Sequence, residues 1–261
     1  MDPGVYILGA GPGDPELITI KAKRVLARAD VIIYADSLVN PAILSYAKKS
    51  CEIHKSSSLS LEEIEDLILR KVKEGKLIAR LHSGDPSLYG AIREQISLLE
   101  KGGITYEIIP GVSSIFAAAA ALKRELTVPE LSQTVIITRI AGRTPVPEDL
   151  AALASHRAAM VLFLSVSNIN KVVEKLVSGG YAEDTPVAVV YRASWADEKI
   201  VRGTLSNIVL LVKKSGIKKQ ALIMVGSWLV SDAIDGRVTR SKLYDSTFSH
   251  EYRNAREKPF E

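Results

Sequence analysis

The chain has 261 residues, of which 47% are hydrophobic and 25% charged, enough to build the core of one large soluble domain or two small ones. Its net charge of +4, from 34 basic against 30 acidic residues, is too small to imply a nucleic-acid partner and suits an anionic small substrate. Cys51 is the only cysteine, His54, His82, His156 and His250 show no metal-ligand spacing, and no apolar stretch approaches a membrane span, so we expect no disulfide, no protein-bound metal and no membrane partner.

In chain order, the first apolar run, residues 5–8, meets the turn Gly9-Ala10-Gly11-Pro12-Gly13-Asp14. Asp14-Pro15-Glu16 then reads as a capped helix start, with a helix ending near Ala29. A second run, 31–34, leads into Ala35-Asp36-Ser37, and Pro41 opens a short helix. Ser60-Leu61-Glu62-Glu63 has capping-box spacing, with Leu61, Ile64, Leu67, Ile68 and Val72 on one helical face and Gly75 as the stop. The run 77–81 enters His82-Ser83-Gly84-Asp85-Pro86-Ser87-Leu88-Tyr89-Gly90, followed by a helix from about Ala91 to Glu100. The run 106–109 enters Pro110-Gly111-Val112-Ser113-Ser114 and an Ala-rich helix ending at Leu122.

Residues 123–132, with Pro129, read as a hinge. A second half restarts at 134–138, with further strands expected at 159–164, 187–191 and 221–225 and helices at 147–155, 169–177 and 206–213; the region around Val201 has no clear pattern. This gives an N-terminal α/β domain over 1–125, a C-terminal α/β domain over 133–238 and an irregular arm over 239–261, with Tyr244, Phe248, Tyr252 and Phe260 spread among charges. The N-terminus shows no basic segment followed by a long apolar run, so a cytoplasmic location is expected.

Continuous apolar runs that alternate with helices suggest buried parallel strands, whose following loops gather at one sheet edge where ligands bind. The first loop looks like a dinucleotide fingerprint, and Asp36 sits where a ribose-binding acid would. Its chemistry points elsewhere. The third glycine position is Asp14, which would repel a pyrophosphate, and Pro12 removes a backbone N–H from the cradle. In the third loop, Gly84 allows close backbone approach and Asp85 offers a carboxylate to a cation or to hydroxyls. The plainer alternatives are a glycine turn that only redirects the chain and an Asp85 that only caps a helix.

Residues 9–14, 83–90 and 110–114 together resemble, in order and over nearly the whole chain, the tetrapyrrole (uroporphyrinogen and precorrin) methyltransferases. Segments 34–39, 142–148, 184–195 and 240–245 are similar to the branch that methylates C11 of (cobalt-)precorrin-4, the last of them to its cobalt-using members. The resemblance implies two α/β domains with a donor-binding cleft between them, the tetrapyrrole methylase fold, and a homodimer. It implies S-adenosyl-L-methionine as methyl donor, leaving S-adenosyl-L-homocysteine, and a tetrapyrrole as acceptor. It carries cofactor contacts onto Pro12, Ser83, Gly84, Asp85, Leu88, Ser113, Ser114, Ser165, Ala193 and Ala221. Some relatives have an acid directly after the second-strand Tyr. That position is Ala35 here, so proton transfer is left with only the weak candidates Asp36 and Lys55.

A carboxylate-rich acceptor calls for basic side chains, and Lys55, His82, Arg93, Arg139, Arg143 and Arg192 are candidates. Arg143 and Arg192 lead as substrate-binding residues, with Tyr89 and Trp195 as aromatic walls. Three other readings remain open at this stage. They are methylation at another ring position, a nicotinamide-dependent oxidoreductase favoured only by the glycines and Asp36, and a non-catalytic tetrapyrrole carrier.

Overall fold

A computed structural model of the chain describes residues 4–142, 144–230 and 241–255. Arg143, the expected domain end at 238, the first two residues of the expected arm and its Phe260 lie outside them. The chain divides into two compact units. The first is Met1–Ala121 together with Val190–Lys199, and the second is Leu122–Val189 together with Ile200–Glu261. Among the described residues no helix is long and apolar enough to cross a membrane.

The first unit holds a five-stranded sheet. Its strands are β1 (Val5–Gly9), β2 (Val31–Tyr34), β3 (Glu52–Lys55), β4 (Ile78–His82) and β5 (Tyr106–Ile109), in the order β3-β2-β4-β1-β5. Every pairing in it is parallel. β1, β2 and β4 are buried along their whole lengths; β1 and β2 therefore read as unbroken apolar runs, while β4 is interrupted by Arg80 and ends at His82. Alternate residues supply two cores. Tyr6, Leu8, Ile32, Tyr34, Ala79 and Leu81 pack with Val25 and Leu26 of α1 (Ile20–Arg28). Val5, Ile7, Val31, Ile33 and Ile78 pack with Ile64, Leu67 and Ile68 of α2 (Leu61–Lys73) and Leu99 of α3 (Arg93–Lys101). Burying each Val, Leu or Ile side chain among these stabilises the fold by about 1.5–3 kcal/mol.

α2 begins as expected: the Ser60 hydroxyl accepts from the Glu63 amide and the Glu63 carboxylate accepts from the Ser60 amide. The helix expected from Asp14 to Ala29 is instead two elements. Asp14 caps only a 3-10 turn, Pro15–Leu17, and extended backbone at Ile18 and Thr19 ends it; the Thr19 hydroxyl then caps α1. α3 starts two residues later than expected, because Ala91 is in the left-handed region at φ 49°. β3 has no counterpart in the sequence reading. It is an edge strand whose four side chains are exposed or half-buried, so it lacks an apolar run. α4 (Ser114–Leu122) is the Ala-rich helix.

The second unit contributes the sheet β6-β7-β10-β8-β9, from β6 (Val135–Arg139), β7 (Ala159–Phe163), β8 (Pro186–Tyr191), β9 (Lys199–Thr204) and β10 (Ala221–Val225). β6 and β7 are parallel, while β7 and β10 are antiparallel. α5 (Leu150–Ala154), capped by Asp149, packs with α6 (Ile169–Ser178), and α7 (Ile208–Ser215) ends on Gly216 in the left-handed conformation. β9 resolves the unclear region around Val201: it too lies at a sheet edge and is mostly unburied. Residues 241–255 are irregular apart from the 3-10 turn Lys242–Tyr244.

Candidate active site

β1 and β4 are neighbours, yet the chain leaves them in opposite directions. From β1 it crosses through α1 to β2, and from β4 through α3 to β5, on opposite faces of the sheet. A parallel sheet forms a ligand crevice beyond the strand ends at such a switch point. Here the loops after β1, β4 and β5 are knitted together there. The Gly11 amide donates to the Gly84 carbonyl at 3.3 Å and the Gly84 amide to the Gly11 carbonyl at 2.8 Å. A Cβ on Gly9 would lie 2.5 Å from the Gly111 Cα, and one on Gly111 would lie 2.2 Å from the Gly84 carbonyl oxygen. Only glycine fits two backbones this close.

Asp85 ties the third loop to the fourth. One carboxylate oxygen accepts from the Gly111 amide at 2.9 Å, and the other accepts from the Ser87 amide at 2.9 Å and from the Ser87 hydroxyl. Partial burial opposes its ionisation, but the Ser87 hydroxyl and the Gly111 and Ser87 amides outweigh that and hold the carboxyl below the usual range. Asp85 is thus an ionised anchor of the loops, a role that leaves room for a further acceptor contact. Ser113 is buried and its hydroxyl accepts from the Ile115 amide, while Ser114, half-buried, opens α4. Ser83 and Leu88 are half-buried, and Tyr89 is 44% exposed in the left-handed conformation at φ 57°.

The first loop offers little to a phosphate. The Ala10 amide bonds the His82 carbonyl, the Gly11 amide bonds Gly84, the Asp14 amide bonds the Ser194 hydroxyl, and Pro12 has no N–H. The loop is held from both sides: Asn40 Nδ2 donates to the Gly13 carbonyl at 2.9 Å, and Trp195 Nε1 donates to the Pro12 carbonyl at 2.9 Å. Residues 190–199 thus bring Arg192, Ala193 and Trp195 to this loop, within the first unit. Ala193 is buried. The Arg192 guanidinium pairs with Asp197 at 2.8 Å and lies 4.7 Å from the Trp195 ring centroid and 5.3 Å from that of Tyr191.

Beneath the third loop, β4 carries two buried basic side chains. Arg80 donates to Gln95, Ser56 and main-chain carbonyls, and burial lowers its pKa to about 10, so it stays charged. His82 is 5% exposed. Burial, reinforced by Arg80, pushes its pKa down to about 3, so the imidazole is neutral at physiological pH. His82 therefore lies under the loop rather than facing a substrate as a cation.

The weak proton-transfer candidates lie at the other end of the sheet edge. Asp36 follows β2 and accepts from the Ser57 amide, and its pKa is lowered chiefly by the Ser57 hydroxyl; Lys55 ends β3 and is exposed. Arg93 is exposed at the start of α3. In the second unit, Ser165 is fully buried: its hydroxyl donates to the Phe163 carbonyl at 2.6 Å and accepts from the Ile140 amide at 2.9 Å. Ala221 is buried at the start of β10, and Arg139 donates to the Thr144 and Pro145 carbonyls. Asn40 and Ser194 escaped the sequence reading as loop-holding residues. Asn40-Pro41 has a helix-cap signature that placed Asn40 near a turn, whereas Ser194 meets Asp14 across 180 residues with no local signal.

The model of the tetrapyrrole (corrin/porphyrin) methylases matches residues 4–209. The cobalt-precorrin-4 C(11)-methyltransferase of Methanocaldococcus jannaschii is 60% identical over 97% of both chains. A solved cobalamin biosynthetic enzyme, cobalt precorrin-4 methyltransferase, superposes with a TM-score of 0.85 at 49% identity, covering 87% of this chain and 96% of that one. The uroporphyrin-III C-methyltransferase of Thermus thermophilus, complexed with S-adenyl homocysteine, superposes with a TM-score of 0.74 at 30% identity, covering 86% of this chain and 92% of that one. The glycine-packed loop edge and this match along the chain lead to one conclusion: the chain belongs to the tetrapyrrole methylases, enzymes that transfer methyl groups.

Proposed function

We propose that this enzyme methylates C11 of cobalt-precorrin-4, using S-adenosylmethionine, in construction of the corrin ring. The observation that carries the donor assignment is the first loop, whose Ala10, Gly11 and Asp14 amides are spent inside the protein and whose Asp14 and Pro12 suit a ligand without phosphates. The acceptor assignment rests on similarity to the M. jannaschii enzyme across almost the whole chain.

The donor, when bound, supplies a methyl on a positively charged sulfonium. The chain's own task is then to align donor and acceptor, which can contribute several kcal/mol of barrier lowering without a nucleophile. We assign the donor contacts to Pro12, Ser83, Gly84, Asp85, Leu88, Ser113, Ser114 and Ala193. The ionised Asp85 favours a cationic ligand nearby. Arg192, already oriented by Asp197, holds an acceptor carboxylate, with Tyr89 as an apolar wall. We also propose a cytoplasmic homodimer that needs no protein-bound metal.

The test is transfer of a labelled methyl from S-adenosylmethionine to a panel of precorrins and uroporphyrinogen III, with mass and carbon-13 readout. The label should appear at C11 of cobalt-precorrin-4. Label at another carbon, or preference for uroporphyrinogen III, would reassign the acceptor.

A further inference from the structure

Trp195 was expected to wall the acceptor, but its polar atom and one edge of its ring are already engaged. Nε1–H is bonded to the Pro12 carbonyl, 183 residues away in sequence, at 2.9 Å. The ring lies so close to Gly13 that a Cβ there would sit 2.0 Å from Trp195 Cδ1. One residue on, the Asp14 amide donates to Ser194 at 3.0 Å, and the Ser194 amide donates to Glu198 at 2.7 Å. Segment 192–198 is folded back on itself by bonds from the Trp195 amide to the Arg192 carbonyl and from the Glu198 amide to the Trp195 carbonyl. It holds Arg192 at φ 47° and Ser194 at φ 68°, a conformation that side-chain-bearing residues adopt only when their surroundings impose it.

We infer that Trp195 is a positioning residue for the donor: it buckles segment 192–198 onto residues 12–14 and fixes the Pro12 carbonyl in the shape the donor meets. This rests on the donor reading above. The physical need lies on the Gly13 side of Pro12: the Gly11 carbonyl is already held by the Gly84 amide, whereas the Pro12–Gly13 peptide adjoins a glycine that lets it turn. A loop ordered only on binding charges that ordering against affinity, whereas one locked beforehand does not. The indole supplies the lock at both points, by hydrogen bond at Pro12 and by contact at Gly13. Ala193 is carried in the same buckle, so its main chain is placed by the same contacts.

Two substitutions separate the parts of the lock. Trp195→Phe keeps a ring and removes the N–H; Gly13→Ala keeps the indole but displaces it. S-Adenosylhomocysteine is titrated into each by calorimetry, and acceptor KM is measured in the methyl-transfer assay. Each variant should raise the Kd for S-adenosylhomocysteine about tenfold, the scale of one lost hydrogen bond, with acceptor KM changed less than about twofold. Fluorescence gives an independent readout. The only other tryptophan, Trp228, is 1% exposed and bonded to the Val225 carbonyl, so a ligand-induced emission change in the wild type should disappear in Trp195→Phe. Wild-type Kd with a raised acceptor KM would make Trp195 an acceptor wall and overturn the inference. Failure of the wild type itself to bind S-adenosylhomocysteine would remove the donor reading and this inference with it.

Discussion

The loop edge of the first sheet has two unlike halves. After β1, β4 and β5 the backbones touch, glycine faces glycine, Asp85 bonds across loops, and nonglycine residues such as Tyr89 and Ala91 take left-handed conformations. After β2 and β3 the chain is ordinary: the Ser56 and Asp36 amides turn back to the Tyr34 carbonyl, Asp36 meets Ser57, and Lys55 points to solvent. Both halves end parallel strands of one sheet. What separates them is the packing of the loops: the chain also leaves the neighbours β2 and β4 in opposite directions, but only after β1, β4 and β5 do glycine backbones close on one another. Strand ends alone do not make a site; a switch point filled by close-packed backbone does.

The contrast is broken most severely by adding one methyl group at the tightest backbone contact between two of these loops. Gly111→Ala should destabilise the protein by about 3 kcal/mol and abolish binding of S-adenosylhomocysteine, since the new Cβ meets only backbone. Denaturant unfolding with calorimetry reads both.

His82 provides a second, pH-dependent contrast beneath the same half. Its folded pKa of about 3 lies below the usual 6.5, so between those values the unfolded chain binds the extra proton and stability falls as pH falls. The loss should be about 2 kcal/mol on going from pH 7 to pH 5, with a shallower slope in His82→Gln. Equal slopes in the two proteins would mean that the imidazole is not held neutral.

Asp85→Asn keeps the shape but removes the charge that the Gly111 and Ser87 amides complement. It should cost about 1.5 kcal/mol of stability and weaken donor binding. Because its folded pKa is lowered, the contribution of Asp85 is complete above about pH 4 and is lost as acid titrates the folded carboxyl. Normal donor affinity in a destabilised variant would make Asp85 a structural tie alone.

Arg192→Ala should raise acceptor KM roughly tenfold and leave donor Kd nearly unchanged, with Lys recovering only part because it lacks the planar fork. Wild-type KM in both variants would confine Arg192 to its pair with Asp197. At the quiet half, Asp36→Asn and Lys55→Ala should change kcat/KM less than about twofold, in line with their solvent-facing surroundings. A hundredfold loss there would mean that the chemistry lies on the wrong side of this comparison.

How far the molecule was legible in its sequence follows the same division. β1, β2 and β4 stood out because buried parallel strands need apolar runs, and β5, an edge strand buried only at Ile109, was marked by the Pro-Gly turn after it, a local signal like Gly-Asp-Pro. β3 and β9 did not, because edge strands with open faces carry no such run. The break between the Pro15 turn and α1 depends on two extended residues whose preference for that conformation is weak in isolation. Within the site, the glycines were visible but their partners were not. Nothing local to Trp195 or Ser194 announces contact with Pro12 and Asp14, since the pairing arises only when residues 190–199 fold beside the first loop.

The central claim is that the edge formed by β1, β4 and β5 holds S-adenosylmethionine and rejects a dinucleotide. Calorimetric titration of the wild-type protein with S-adenosylhomocysteine and, separately, with NADH tests it directly. Binding of S-adenosylhomocysteine with a Kd on the order of micromolar, equivalent to about 8 kcal/mol, and no heat with NADH is the expected result. Binding of NADH with none of S-adenosylhomocysteine would contradict the account.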